Sequence, residues 1–126
     1  MTLRSPIAAA RGLGSAKSGT HHWWAQRVTA IALVPLVVWF VISLIAYMGA
    51  GYLEVRAWIG SPVPAVLMVC LIIAAFHHAQ LGLQVVIEDY IHTEFCKIAA
   101  LMIVKGAAVF FGLLGVFSVA RIAFGG

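Results

Sequence analysis

Acidic residues and cysteines are scarce in this chain. Only four of its 126 residues are Asp or Glu, and none of them precedes Glu54. The two cysteines, Cys70 and Cys96, stand far apart without metal-ligand spacing, so we interpret them as small apolar residues of the interior. Internal repeats and low-complexity tracts are also missing from the sequence. These absences argue against a cysteine metal site and against a repeat architecture.

Hydrophobic residues, by contrast, dominate the composition. They make up 63% of the chain, while charged residues make up only 10%. Ordinary soluble domains are about 45–50% apolar and about 25% charged. A chain of this size cannot hide so many apolar side chains in a water-soluble core, so the composition predicts an integral membrane protein. No stretch remains for a domain outside the membrane that could bind a soluble substrate by itself.

Three apolar stretches are long enough to cross a bilayer. At 1.5 Å per residue, each of them exceeds a hydrocarbon layer of about 30 Å, and a membrane helix tolerates a proline such as Pro35. We therefore predict an all-α membrane protein that forms one domain over residues 1–126. The predicted segments are a tail at 1–22 and transmembrane helices at about 25–49, 63–87 and 95–120, with a short connector at 47–61 and a polar turn at 88–97.

The distribution of charge predicts the orientation of these spans. The formal net charge is +4, and four basic residues precede the first uncharged apolar run with no acid among them. These residues are Arg4, Arg11, Lys17 and Arg27. A basic excess of this kind places the N-terminus, and with it the polar turn at 88–97, in the cytoplasm or in the matrix of an organelle. The hydrophobic body favours this interpretation strongly over nucleic-acid binding, so we expect membrane lipids and no nucleic acid as partners.

The N-terminal tail has a second interpretation as a transit peptide, because residues 1–22 are rich in Ser, Gly, Ala and Arg. However, the tail runs directly into HHWWAQR, which is typical of an anchor at a membrane boundary, with Trp23, Trp24 and Arg27 at headgroup level. We therefore expect the tail to be retained and partly ordered. This favours a bacterial inner (plasma) membrane over a mitochondrial inner membrane.

The stretch His77–Tyr90, HHAQLGLQVVIEDY, carries the strongest functional signal. At about 100° per residue, Gly82 and Asp89 fall on the same helix face as His78, and His78 lies about 18 Å from Tyr90 along the axis. An imidazole at that depth needs a partner, which is either a hydrogen bond to a neighbouring helix or a metal. Haem iron is a natural candidate, and Gly82 would let a flat macrocycle approach the backbone. His77 points about 100° away, so a second iron ligand must come from another chain or copy.

Polar residues at the two membrane-boundary segments suggest a quinone site. The phenol of Tyr90 can donate a hydrogen bond to a quinone carbonyl, and the Asp89 carboxylate can orient a basic group or relay protons. Arg27 could pair with Asp89 or with a haem propionate. The alternatives are an ordinary interfacial tyrosine and a positive-inside anchor. Lys105, inside the third span, could snorkel toward the interface or face a partner or lipid headgroup.

At these residues the chain resembles a known family. The pattern His78-x-x-x-Gly82-x-Gln84-…-Asp89-Tyr90 and the run GSAKSGTHHWWAQRVTAIALVPL at 14–36 are similar to the small hydrophobic anchor subunit of succinate dehydrogenase, respiratory complex II. The resemblance implies that His78 is an axial ligand of haem b and that Tyr90 contacts ubiquinone. It also implies that Asp89 shapes the quinone site and that Arg27 lies near the haem propionates and the quinone.

The resemblance further implies a heterotetramer that acts in the tricarboxylic acid cycle and in electron transport. In it, a flavoprotein oxidises succinate, an iron–sulfur subunit carries the electrons, and this chain and a second, cytochrome b-type anchor hold haem and quinone between them. This chain would not be catalytic by itself. Alternatives are the anchor of a quinol:fumarate reductase, a structural membrane subunit without haem, or an ion-transport subunit in which His78, Asp89 and Lys105 form the path.

Overall fold

The fold is a small assembly of helices. The computed structural model describes residues 13–125, with side chains from residue 19 onward. Within this part of the chain there are four helices and no strand, which confirms the predicted all-α class. The helices are α1 (Leu13–Ala46), α2 (Tyr52–Gly60), α3 (Pro62–Tyr90) and α4 (Glu94–Ala123).

Three of these helices are long and apolar enough to cross a membrane. The candidate spans are Gly19–Ala46, Pro62–Tyr90 and Glu94–Ala123, which confirms the predicted number of transmembrane helices. Helix α1 begins before its apolar run, so residues 13–22 of the predicted tail are helical, whereas residues 1–12 lie outside the described residues. The difference arises because apolarity marks where a helix enters lipid, while helix formers such as Leu13, Ala16 and Lys17 extend it beyond that point.

The predicted polar turn is mostly helical. Helix α3 continues to Tyr90, so Glu88, Asp89 and Tyr90 form its last turn, and only residues 91–93 separate α3 from α4. The carboxylate of Glu94 lies in the first turn of α4, where it faces the positive end of the helix dipole. The connection is therefore tight, and it holds the ends of α3 and α4 side by side.

The connector between the first two spans contains the short helix α2, which the prediction of a simple connector missed. Its first turn is closed by the Gly51 amide, which donates to Glu54 Oε2 at 3.2 Å. Trp58 stacks on Tyr47 with ring centroids 4.8 Å apart and tilts against Trp39 at 5.9 Å. Nine residues are too few to show a clear helical period, and the aromatic contacts that hold α2 are not local.

Helix α3 is central, because it packs against both α1 and α4. Two glycines allow α4 to come close: a methyl group built on Gly112 would lie 3.7 Å from Phe76 Cβ, and one on Gly115 would lie 3.2 Å from Ile72 Cγ2. Small residues at such crossings are the usual means of close helix approach in membranes.

The three long helices leave most side chains on the outside. Among the described residues the buried hydrophobic side chains are Ala65, Leu81, Ile87 and Val119. Cys70 and Cys96 are both exposed and unpaired, so their predicted interior position is wrong. The reason is geometric, since a helix with two neighbours presents much of its circumference to the surroundings.

We expect Gly60→Ala to destabilise the fold by about 1–3 kcal/mol, as overpacking generally does. The added methyl group would lie 3.2 Å from the Ile122 carbonyl oxygen, and a backbone atom cannot move unless α4 moves with it. The measurement is the midpoint of thermal unfolding in detergent, followed by circular dichroism.

Gly106→Ala is the matched control, because no atom lies within 4 Å of its added methyl group. There we expect no loss, and a gain of about 0.5–1 kcal/mol from the better helix former. Equal unfolding midpoints for the two variants would contradict the close contact between α2 and α4.

Candidate functional site

His78 lies in the interface between α1 and α3, half-buried, and its ring is held by one nitrogen. His78 Nδ1 is 3.0 Å from Thr29 Oγ1 on α1. Within residues 19–125 its other ring nitrogen, Nε2, has no hydrogen-bond partner. The alternative interpretation of His78 requires a bond to a neighbouring helix, and that bond is present. It uses only one of two ring nitrogens, so Nε2 is still available to a ligand.

The α1 side of this interface forms a polar seam, which we define as His22, Gln26 and Thr29. At about 100° per residue the three share one face of the helix. His22 Nε2 and Gln26 Oε1 are buried and have no hydrogen-bond partner. An unsatisfied buried polar atom costs about 1–3 kcal/mol, so the seam is a place where an added polar group or water would be stabilised.

Gly82 also faces this seam. A methyl group built on Gly82 would lie 3.8 Å from Gln26 Nε2, which is an ordinary contact distance. Within this chain, therefore, the side chain of Gln26 covers Gly82, and the backbone there is not open to a flat group unless Gln26 changes its rotamer. No hydrogen bond of the Gln26 side chain fixes that rotamer in the described residues.

Arg27 lies on a different side of α1, about 130° from the polar seam. It is exposed, and its guanidinium carbon is 5.3 Å from the centre of the Trp23 ring, a cation–π contact. Because Gln26 is opposite Gly82, Arg27 lies near the level of Gly82, roughly 12 Å along the axis from Tyr90. Among residues 19–125 no ion pair joins Arg27 to Asp89.

Asp89 and Tyr90 form the exposed cytoplasm-proximal end of α3 in the predicted orientation. Tyr90 is 77% exposed, and neither side chain has a hydrogen-bond partner among the described residues. This chain by itself therefore presents the phenol and the carboxylate at a helix end without enclosing them. A pocket around them requires atoms from outside the described part of the chain.

His77 lies on another side of α3 from His78, as the helical phase predicts. It lines a groove of about 450 Å³ between α3 and α4, together with Gln80, Lys105 and apolar side chains of both helices. From this groove a row of hydrogen bonds follows α3 toward its end. Gln80 Nε2 donates to Gln84 Oε1 at 3.2 Å, and Gln84 Nε2 donates to Glu88 Oε1 at 3.0 Å.

Thr29 and Gln26 are not among the residues that the sequence singled out. The available signal was the spacing of the polar seam, whose members recur at four and three residues before a long apolar run. As for metals, residues 13–125 contain no group of three or more His, Cys, Asp or Glu able to hold an ion. The α1–α3 interface offers two separate imidazole nitrogens without a hydrogen-bond partner among the described residues, His78 Nε2 and His22 Nε2, rather than a complete ligand set.

Comparison with known proteins identifies relatives of this chain. A family model described as "Succinate dehydrogenase/Fumarate reductase transmembrane subunit" matches residues 1–117. The chain is similar to the succinate dehydrogenase hydrophobic membrane anchor subunit of Rickettsia bellii, with 37% identity over 82% of each chain. It is also similar to the subunit of the same name from Paracoccus denitrificans, with 34% identity over 99% of this chain and 96% of the relative. No solved structure shows a significant match.

Proposed function

This chain belongs to the family of succinate dehydrogenase/fumarate reductase transmembrane subunits, as a membrane-spanning succinate dehydrogenase anchor subunit, and from this premise we propose that it binds haem b and forms part of a ubiquinone-reduction site. Electrons taken from succinate would reach that site through iron–sulfur clusters of another subunit. The observation that carries the haem proposal is the position of His78. Its ring is fixed through Nδ1, and Nε2 has no partner among the described residues.

The residues around His78 fit a haem. The histidine is about 18 Å from the end of α3 at Tyr90, inside the apolar length of the span. When bound there, haem b supplies a one-electron redox centre within the membrane. His78 Nε2 would bind the haem iron, and a second anchor subunit would supply a further ligand. Gln26 would turn away from Gly82 to make room for the haem, since no hydrogen bond within residues 19–125 holds its side chain.

Arg27 is proposed to serve both the haem and the quinone. Its level near Gly82 supports a haem propionate as its partner, because a guanidinium and a carboxylate form strong charge-assisted hydrogen bonds. The separation of roughly 12 Å from Tyr90 along the axis is measured between backbone levels, and the long Arg27 and Tyr90 side chains can reach one quinone headgroup between them. The proposed quinone site therefore comprises Tyr90, Asp89 and Arg27.

We expect His78→Ala to abolish or shift the b-type signal in a reduced-minus-oxidised absorption spectrum of the purified complex, because the iron loses an axial ligand. His77→Ala is the matched control and should leave the spectrum unchanged, since His77 faces the groove between α3 and α4. A wild-type complex without any haem signal would contradict the ligand assignment and favour a purely structural anchor.

At the end of α3, Tyr90 and Asp89 would meet the quinone headgroup. The Tyr90 hydroxyl would donate a hydrogen bond to a quinone carbonyl, and the Asp89 carboxylate would accept a proton or orient a cationic neighbour. Their exposure supports this role, because both groups are free to face a pocket completed by other subunits.

We expect Tyr90→Phe to raise the KM for a soluble ubiquinone analogue roughly 2- to 10-fold, because one hydrogen bond contributes about 0.5–1.5 kcal/mol. The assay is succinate-dependent quinone reduction by the purified complex. Succinate oxidation with an artificial electron acceptor, which bypasses the quinone, should not change. Tyr52→Phe, at a similarly exposed tyrosine on α2, is the control, and equal effects of the two variants would count against the site.

The partners that we propose are a second, cytochrome b-type anchor, an iron–sulfur subunit and a flavoprotein. The free side of α3 supports a membrane partner. It carries His77, Gln80, Gln84 and Glu88 within an arc of about 80°. By contrast, the outward stripe of α1 is apolar and exposed, with Ile31, Val34, Val38, Ile42 and Ile45. Amide and imidazole groups at hydrocarbon depth are costly against lipid, so a polypeptide is the better cover for this side of α3.

A photo-crosslinking residue at position 84 should therefore capture the second anchor subunit in native membranes, whereas the same residue at position 38 on α1 should capture lipid. The identity of the products can be read by mass spectrometry. Capture of the partner at position 38 and only lipid at position 84 would show that the membrane interface lies on α1 instead.

The proposed location is a bacterial inner membrane with the N-terminus in the cytoplasm. Similar subunits come from Rickettsia and Paracoccus. The orientation rests on the basic residues that precede the first apolar run. In this orientation Asp89 and Tyr90 lie on the cytoplasmic side, where the soluble subunits would dock.

A further inference from the structure

The hydroxyl of Thr29 lies between three hydrogen-bonding groups. Its oxygen is 2.7 Å from the Ala25 carbonyl oxygen, 3.0 Å from the Gln26 carbonyl oxygen and 3.0 Å from His78 Nδ1. A hydroxyl has one hydrogen to donate and two lone pairs that accept. Carbonyl oxygens can only accept, and the contact at Ala25 is the shortest of the three, which favours a Thr29 hydrogen directed back into its own helix toward Ala25.

This assignment decides the direction of the bond to His78. With its hydrogen given to Ala25, Thr29 Oγ1 faces His78 as an acceptor, so the proton must be on Nδ1 of the imidazole. A neutral imidazole carries one N–H, and Nε2 then has a free lone pair. The opposite arrangement would leave both Thr29 carbonyl contacts without a hydrogen and would protonate Nε2, which could then bind no metal.

We propose that Thr29 is a positioning residue that selects the Nδ1–H form of His78 and turns its Nε2 toward the haem iron. The inference rests on the haem site proposed above and assigns that site a residue on a second helix. Metal-binding histidines almost always donate their other N–H to an acceptor, which fixes the ring and makes the ligand more basic. Thr29 is suited to this, because its bond to its own helix limits its χ1 rotation and holds Oγ1 in place.

The test compares Thr29→Val, which keeps the shape but removes the hydroxyl, with Thr29→Ser, which keeps the hydroxyl. In the intact purified complex we expect Thr29→Val to weaken haem binding roughly 10- to 100-fold, as loss of such an outer partner does. The haem that remains should have a more positive midpoint potential, since a less basic imidazole stabilises ferric iron less. Thr29→Ser should keep the haem content and the midpoint potential of the wild type.

Ser43→Ala is the matched control for a structural role. Ser43 Oγ donates to the Trp39 carbonyl at 2.8 Å, the same bond to its own helix, but among residues 19–125 it has no partner on another helix. This variant should leave haem content and potential unchanged. The role of the hydroxyl would be overturned if Thr29→Val kept the wild-type haem content and midpoint potential. It would also be overturned if Thr29→Ser lost as much haem as Thr29→Val.

If the haem proposal itself is wrong, His78→Ala and Thr29→Val give a different combination of results. If His78→Ala keeps the b-type signal, the haem site is not at His78 and the inference falls with it. If His78→Ala loses the signal while Thr29→Val is unaffected in content and potential, the haem site stands and only the positioning role of Thr29 is wrong.

Discussion

A polar side chain inside a hydrocarbon layer must find a polar partner, and the arrangement of the helices around α3 depends on this constraint. The contact between Thr29 and His78 is its clearest instance, because it joins two helices at mid-depth through a single hydroxyl. Two glycines on α4 bring that helix close from another direction. Within the described residues helix α3 therefore packs against α1, α4 and the short α2, and its remaining side carries a row of amide and carboxylate groups.

The sides of α3 thus have different chemistry. One side presents an imidazole to the polar seam of α1, a second packs on α4 through small residues, and the third carries the hydrogen-bonded row from Gln80 to Glu88. Neighbouring histidines fall on different sides, so the pair His77 and His78 gives two unrelated environments from one dipeptide. Helical phase separates their environments more sharply than position along the chain does.

Much of this architecture could be predicted from the sequence, because long apolar runs and helical phase are local properties. They indicated three spans and distinguished His78 from His77. Helix α2 was missed, since its nine residues are held by contacts of Trp58 with aromatic rings on α1 and just after it. Thr29 and Gln26 were missed for a related reason: a polar residue in a span has meaning only once the facing helix is known. The level of Arg27 near Gly82 likewise depends on the register between two helices.

The small number of buried side chains bears on how the protein is made. In the described part of the chain four hydrophobic residues are buried, so little of the side-chain packing is internal to the chain. The helices can be inserted one by one, since each satisfies its own backbone in lipid. Lateral packing is then a later and separate stage, in which lipid or other polypeptides cover the faces that the chain leaves exposed. The inserted chain thus has its backbone hydrogen bonds complete before its exposed side chains have their final neighbours.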